Sequence, residues 1–352
     1  MQYRKLGRTG VEVSAHCLGA MMFGAYGNPD HDECVRIVDR ALDAGVNFVD
    51  TADAYSAGES EEIVGRALKG KRDDVVLATK CFNRMGKERN HQGGSRRWVM
   101  RACEDSLRRL DTDHIDLFQL HRLDWHTDLD DTLGALSDLV HQGKVRYIGT
   151  SSFPAEWIVE AQWASDRRFR ERFVCEQPQY SILARSAEIA VLPTCLRHDI
   201  GVIPWSPLAG GWLTGKYRKG EQAPPDSRYG GGSVFSRRGM PPTDDPTFDR
   251  RHEIIEQLTS VAGQAGMSLT HMAMAFTLEH PAVTSTIIGP KTMTQAEDVL
   301  ASADVVLTPD LLDAIDGIVA PGTDAEGIDH FTGNPALKTW ARRRAPRIAA
   351  GR

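Results

Sequence analysis

Four side chains in this chain could do chemistry together: Asp50, Tyr55, Lys80 and His121. Asp50 closes a short apolar run (Val46, Phe48, Val49), where an unpaired buried carboxylate is costly or shifts its pKa. Tyr55 follows in a stretch of loop character. Lys80 closes VVLAT (75–79), and His121 closes IDLFQL (115–120). Each alone reads as readily as a solvated or capping strand end. On neighbouring strands of a closed sheet their ends lie roughly 5–10 Å apart, and they become a site. Lys80 beside Asp50 would stay protonated, and its charge would lower the Tyr55 phenol from its ordinary value of about 10. Tyr55 is then a general acid, and His121 a donor that orients and polarises a carbonyl. Such a group protonates a carbonyl oxygen but holds no hydride for the carbon. It therefore requires a nicotinamide cofactor.

The elements that must position these residues alternate along the chain. Residues 2–19 read as two extended pieces, YRKLG and VEVSAHCLG, broken at Arg8-Thr9-Gly10. They predict an N-terminal β-hairpin leading into a first strand near 15–19. Asp30-x-x-Glu33 is a capping-box pattern for a helix with Val35, Val38, Ala41 and Leu42 on its apolar face, stopped by Gly45. Strands are expected at VNFVD, VVLAT, IDLFQL, VRYIG (145–149), FVCEQ (173–177), IGVIPW (200–205) and TSTIIG (284–289). Helices fall between them, one near 59–69 and one carrying Val99, Cys103, Leu107 and Leu110.

Eight strands alternating with helices, without a break in composition, predict an α/β protein: one (β/α)8 TIM barrel spanning 1–352. An open doubly wound sheet would need a GxGxxG turn that no strand here precedes. A long loop, 209–250, rich in Gly, Pro, Ser and Arg, separates strands seven and eight. On the active face of a barrel it reads as a cofactor or active-site lid. Thr308-Pro309 opens a C-terminal helical segment, and 320–352 is a tail with a frayed basic end.

Composition removes several classes. The net charge of −6 across 352 residues leaves no basic footprint for nucleic acid. The stretch Met1 to Gly10 is polar and charged, unlike a signal peptide. No run approaches the roughly 18 apolar residues of a membrane span, so no membrane insertion is expected. The six cysteines are scattered without CxxC spacing, as in a cytoplasmic protein with reduced core thiols. A metal-dependent barrel hydrolase would need clustered ligands. His121 and His126 stand alone in HRLDWH, with no HxH at the first strand end, so no metal is expected.

The order Asp50–Tyr55–Lys80–His121, set in DTADAY, ATK and QLH, resembles the aldo-keto reductase superfamily. The similarity runs from LGRTGVEVS to GPKTMTQAED, most of the chain. WSPLAGGWLTGKY (205–217) is similar to the branch that includes bacterial reductases and potassium-channel β-subunits. This resemblance implies a (β/α)8 barrel binding NADPH or NADP+ in extended form, with hydride transfer to an aldehyde or ketone. It makes the four residues a catalytic tetrad, with Tyr55 the proton donor and Asp50 also near the cofactor.

Ser151 and Gln177 match the positions that hold the nicotinamide carboxamide, while Ser152 stands where the family has asparagine. Trp205 matches the aromatic that stacks on the nicotinamide, and Gly19 and Met21 line that end. Ser206, Pro207, Leu208, Gly210 and Gly211 are read as backbone donors to the pyrophosphate, with Lys216 as a point charge. Arg228 either folds over it or is a solvated loop charge. Gly289 begins GPKTMTQAED, where Lys291 near a helix N-terminus suits an adenosine 2′-phosphate. Gln295 and Asp298 match the adenine end, and Val299 replaces the family's asparagine. Gly210–Lys216 also fits GxxxxGK, but Tyr217 stands where a triphosphate loop needs Ser or Thr for Mg²⁺.

Phe23, Tyr26, Phe82, Trp125 and the 209–250 loop are candidates for substrate-pocket walls, Trp125 equally for surface or packing. The leading expectation is an NADPH-dependent carbonyl reductase acting on a small molecule. The alternative is a cofactor-sensing regulatory subunit with slow residual reductase activity. Relatives of the channel-associated branch form tetramers and others are monomers, so a homo-oligomer is open.

Overall fold

The computed structural model describes residues 1–225, 227–230 and 249–325. Of the expected 209–250 loop, 226 and 231–248 lie outside the described residues, as do 326–352 of the expected tail. Parallel strands β3 (His16–Gly19), β4 (Phe48–Asp50), β5 (Val76–Cys81), β6 (Ile115–Leu120), β7 (Val145–Ser151), β8 (Phe173–Gln177), β9 (Gly201–Val202) and β10 (Thr286–Ile288) form one sheet in the order β10-β3-β4-β5-β6-β7-β8-β9. The two ends meet. Thr284 N donates to Val202 O at 2.8 Å and Ile287 N to Pro204 O at 3.1 Å, which closes the sheet into a (β/α)8 barrel. The predicted strand at 200–205 is regular over only Gly201–Val202, because Pro204 has no N–H to continue the ladder.

The hairpin forms as expected. β1 (Tyr3–Lys5) pairs antiparallel with β2 (Glu12–Ser14), Tyr3 opposite Ser14 and Lys5 opposite Glu12. Its apolar side chains explain its position. Leu6 and Val13 are fully buried in a cluster with Phe48, Ala78, Leu117, Cys175 and Ile203, the inward-facing residues of the barrel. Gly7 sits at φ +52°, and a Cβ there would lie 2.6 Å from Asp199 O and 2.8 Å from Gly201 N. The hairpin therefore plugs the barrel at the N-terminal ends of its strands and leaves the opposite end for a site.

Helices α1 (His31–Asp43), α2 (Glu59–Leu68), α3 (Arg96–Leu110), α4 (Leu129–His141), α5 (Ala155–Arg168), α6 (Val191–Arg197), α7 (Asp249–Gln264), α8 (Leu269–Glu279), α9 (Met293–Leu300) and α10 (Pro309–Ile318) complete the described chain. The predicted capping box of α1 is half made. Asp30 accepts from Asp32 N and Glu33 N, but the Glu33 carboxylate does not return to Asp30. It accepts instead from Asn28 Nδ2 at 3.0 Å and from Met293 N at 3.3 Å, tying α1 to the start of α9. Thr308 caps α10 through Leu311 N, with Pro309 in the first turn. All six cysteines are buried and unpaired. No helix of the described residues is long and apolar enough to cross a membrane.

Because Leu6 is a fully buried apolar side chain of the plug, Leu6→Ala should lower the unfolding free energy by about 2–5 kcal/mol. Urea unfolding followed by circular dichroism reads this directly. A change under about 0.5 kcal/mol, the range of a surface substitution, would show that the hairpin does not seal the barrel.

Candidate active site

Side chains two apart on a strand share a face. The inward layer of Phe48, Ala78, Leu117 and Cys175 is apolar. One step up the same four strands stand Asp50, Lys80, Gln119 and Gln177, all buried. This polar layer rests on the apolar one and faces the C-terminal mouth. Asp50 on β4 and Lys80 on β5 form an ion pair of 2.5 Å, with Lys80 fully buried. Lys80 Nζ also donates to Thr51 O at 2.7 Å and to the Tyr55 hydroxyl at 3.3 Å. The other Asp50 oxygen accepts from Gln119 Nε2 at 3.2 Å and Gln177 Nε2 at 3.0 Å. Burying two charges costs more than their attraction returns unless the remaining lone pairs and protons are also bonded. Here they are.

Burial pulls the Lys80 ammonium down, but Asp50 and Tyr55 outweigh it and the pKa ends above its ordinary value. The lysine is charged. Tyr55 corrects the sequence expectation: burial pushes the phenol above its usual pKa, and Lys80 offsets only part of this. The phenol thus holds its proton firmly, and Lys80 acts on the phenolate only as that proton leaves. His121 follows β6 and is driven well below its ordinary pKa by burial, with Lys80 and Arg122 adding to it, so the imidazole is neutral. Asn83 Nδ2 lies 3.0 Å from His121 Nδ1. With Asn83 donating there, the ring proton sits on Nε2. The Tyr55 and His121 rings meet edge to face at 5.6 Å.

Tyr55 stands in a turn held under backbone strain. Ser56 and Ala57 lie at φ +48° and +58°, a region non-glycine residues seldom occupy. The Ser56 hydroxyl fixes this turn by donating to Phe23 O at 2.8 Å and accepting from Tyr26 N at 3.0 Å. The expectation of Phe23 as a pocket wall is thereby corrected. Its ring is fully buried in the core and anchors the loop from below. Trp125 also stays off the cavity wall, packed edge to face on Trp157 at 5.5 Å.

A cavity of about 1340 Å³ opens above Asp50, Tyr55 and His121, and Tyr26 and Phe82 line it. It exceeds the roughly 300–1,000 Å³ of ordinary small-molecule pockets. Gly19, Met21, Ser151, Gln177 and Trp205 form the wall near Tyr55. Ser206, Pro207, Leu208, Gly210, Gly211, Lys216 and Arg228 continue it, and Gly289, Lys291, Gln295 and Asp298 end it. Two expected contacts lie behind the wall. Lys80 is beneath the floor, and the Ser152 hydroxyl accepts from Trp205 Nε1 and Arg122 Nη1, each at 3.3 Å.

The segment after β9 is built for close approach. Gly210 and Gly211 lie at φ +67° and +98°, and a Cβ on Gly210 would sit 2.6 Å from the Tyr229 hydroxyl. Tyr217 is buried against Trp212 at 5.2 Å and bonds Gly210 O, so no triphosphate loop forms. At the far end Thr292 caps α9 through Gln295 N. The Gln295 side-chain oxygen accepts from Lys291 N at 2.8 Å, and Asp298 Oδ1 lies 3.1 Å from His271 Nε2. Both residues thus help shape the protein itself. Among the described residues no three His, Cys, Asp or Glu side chains gather as a metal site.

Sequence reasoning passed over three residues that the fold brings in: Gln119, Arg122 and Glu176. The signal for Gln119 was its place two residues before His121, on the inward face. Glu176 left none, since it precedes Gln177 and points away from the cavity. Fully buried, it accepts from the Thr150 hydroxyl at 2.5 Å and from Phe153 N at 3.1 Å, holding the turn after β7.

Burial raises the Glu176 carboxyl from about 4.5 to about 7, against the hydrogen bonds of Thr150, Phe153 and Ser152. The folded state therefore holds this proton where the unfolded chain has lost it. The Glu176 contribution to stability should be fully present below pH about 4.5 and be lost as pH rises through about 7, by about 3 kcal/mol in all. Glu176→Gln should remove that component. Urea unfolding of both proteins between pH 4.5 and 8 tests it; a constant difference between them would refute the assignment.

A model of the Aldo/keto reductase family matches residues 16–320. The chain is 36% identical over 338 residues to the "Uncharacterized oxidoreductase YrpG" of Bacillus subtilis, covering 93% of this chain and 98% of that protein. It is 36% identical to a "Probable voltage-gated potassium channel subunit beta" of Arabidopsis thaliana, over 91% and 97% of the two chains. It is 33% identical to the "Versiconal hemiacetal acetate reductase" of Aspergillus parasiticus, over 88% and 94%.

Proposed function

This chain belongs to the aldo/keto reductase family of oxidoreductases, and on that premise we propose that it reduces a small aldehyde or ketone to the alcohol with NADPH. The observation that carries the reading is one buried cluster. Lys80 bonds both Asp50 and the Tyr55 hydroxyl directly beneath a cavity that His121 also enters. Groups so arranged act on a carbonyl oxygen.

The residues present fit a dinucleotide. Gly210 and Gly211, at φ +67° and +98°, present bare backbone to the cavity, and Lys216 and Lys291 are cations on the same wall. Ser151 and Gln177 would hold the carboxamide, Trp205 would face the ring, and Lys291 at the start of α9 would hold a 2′-phosphate. When bound, the cofactor supplies the hydride that no side chain can. The protein does the rest. His121 Nε2–H donates to the carbonyl oxygen and fixes its direction. Tyr55 gives its proton to that oxygen, and the Lys80 ammonium at 3.3 Å stabilises the phenolate left behind. Asp50, held by Gln119 and Gln177, keeps Lys80 charged and in place. The proposed partner is a small molecule, and the six unpaired cysteines support a reducing, cytoplasmic setting.

Similarity to the plant protein supports a second reading, a cofactor-sensing subunit with slow residual turnover. A panel of aldehydes and ketones, followed by NADPH absorbance, separates the two. Rapid turnover of some member favours the enzyme, and uniformly slow turnover with tight cofactor binding favours the sensor.

Tyr55→Phe should keep cofactor affinity and lower turnover by roughly 10²–10⁴-fold. Retained turnover would remove Tyr55 as the acid. Lys291→Ala should weaken NADPH by about tenfold or more, as expected for a lost charge-assisted contact, and leave NADH nearly unchanged. Titration of intrinsic fluorescence with each cofactor measures both constants, and equal affinities in the parent protein would refute the 2′-phosphate assignment.

A further inference from the structure

We propose that Asn83 is a positioning residue for the reduction: aimed by a strained backbone at Phe82, its amide confines the one proton of the His121 ring to Nε2, the nitrogen that donates to the carbonyl. The inference rests on the reductase reading above and adds a residue to its machinery.

The loop after β5 turns at once. Phe82 lies at φ +150°, whereas the eight other described non-glycine residues with positive φ fall between +48° and +58°, in the left-handed helical well. A bulky residue outside that well is a true outlier, and such strain persists only where surrounding bonds over-determine it. Those bonds are present. His121 N donates to Cys81 O at 2.9 Å, just before the turn, and Gly93 N donates to Phe82 O at 2.7 Å. At the end of the loop, Gly94 N donates to the Asp124 carboxylate at 2.7 Å, three residues past His121. The segments carrying Asn83 and His121 are thus latched together at both ends of the loop. Between the latches, Asn83 Nδ2 is delivered 3.0 Å from His121 Nδ1 on the cavity wall. With φ in an ordinary region the chain would leave β5 in another direction, and Asn83 would miss the ring.

A neutral imidazole has one proton for two nitrogens, so one donates and the other accepts. His121 is kept neutral by burial, Lys80 and Arg122. Which nitrogen holds the proton therefore decides whether the ring can donate to a carbonyl at all. The hydrogen bond at the other nitrogen settles that choice. A donor at Nδ1 requires a lone pair there, and the proton goes to Nε2. A carboxylate of the same shape could only accept, and would draw the proton to Nδ1.

The test reads the ring directly. In the protein without cofactor, with its histidines labelled with 15N, NMR distinguishes protonated from bare ring nitrogens, and the His121 signals are those lost in His121→Ala. The parent should carry the proton on Nε2. Asn83→Ala should give a mixture of tautomers and lower kcat/KM by about tenfold. Asn83→Asp, nearly isosteric, should move the proton to Nδ1. Once its ring is neutral, kcat/KM should fall by roughly 10²–10³-fold, the cost of one donor lost from a developing oxyanion. The new carboxylate also raises the imidazole pKa. Below that pKa both nitrogens are protonated and Nε2 still donates; above it the Nε2 proton leaves. Activity of Asn83→Asp should therefore fall as pH rises through an ionisation the parent lacks. The other groups facing the ring are the same in both proteins: Lys80 with its partner Asp50, the Tyr55 phenol, and Arg122, which interacts with Glu176. A proton on Nδ1 in the parent, or an unmoved tautomer in Asn83→Asp, would overturn the proposal. A parent with the Nε2 proton but no turnover of any carbonyl compound would instead overturn the reductase reading, and with it the role given to Asn83, while the tautomer assignment stands.

Discussion

A lysine and an aspartate cannot both be ionised inside a barrel unless every remaining bonding position on each is met. Lys80 meets this with Asp50, Thr51 O and the Tyr55 hydroxyl; Asp50 meets it with Lys80 and the two glutamine amides. Those groups come from four strands and one loop. Only a closed sheet brings all of them to one point, so the ion pair depends on the barrel as much as the chemistry depends on the ion pair. Removing either charge would leave the other buried and uncompensated, a larger loss than the pair itself contributes.

That constraint explains the division of the molecule along the barrel axis. The lower interior is sealed by Leu6 and Val13 of the hairpin over an apolar layer. The polar layer begins one residue pair higher and is open above. The segments that bound the opening are braced against one another rather than left to loop chemistry. The Ser56 hydroxyl joins the Tyr55 turn to the loop after β3, Glu33 joins α1 to α9, and Glu176 holds the turn after β7. Each brace lies outside the cavity, yet each fixes a stretch of its wall.

The charges within that wall divide by kind. The pair on the floor is mutually neutral, and the imidazole is uncharged. Tyr55 illustrates the same balance. Its hydroxyl touches a lysine, but burial outweighs that contact and the phenol keeps its proton. In a cavity of this kind the neighbour's charge assists the departing proton more than it shifts the resting equilibrium.

Much of this was legible in the chain itself. Alternation of strand and helix patterns determines the barrel, and the polar residues at the ends of VNFVD, VVLAT and IDLFQL mark the site, because a charge that closes an apolar strand needs partners from neighbouring strands. Period-two facing even placed Gln119 on the inner face, though nothing in its type singled it out. What the tertiary structure alone decided was which side of a wall each residue occupies and whether burial or a neighbouring charge governs its protonation. Phe23 and Trp125 look like pocket aromatics until packing draws them inward or aside. Glu33 looks like half a capping box until Met293 arrives from the other end of the chain. Arg122 has no signal in the chain, and only the fold brings Ser151 and Trp205 against it. The reason is physical: pattern along a chain reports which face a side chain takes, whereas burial, and the distance to groups a hundred residues away, exist only once the sheet has closed.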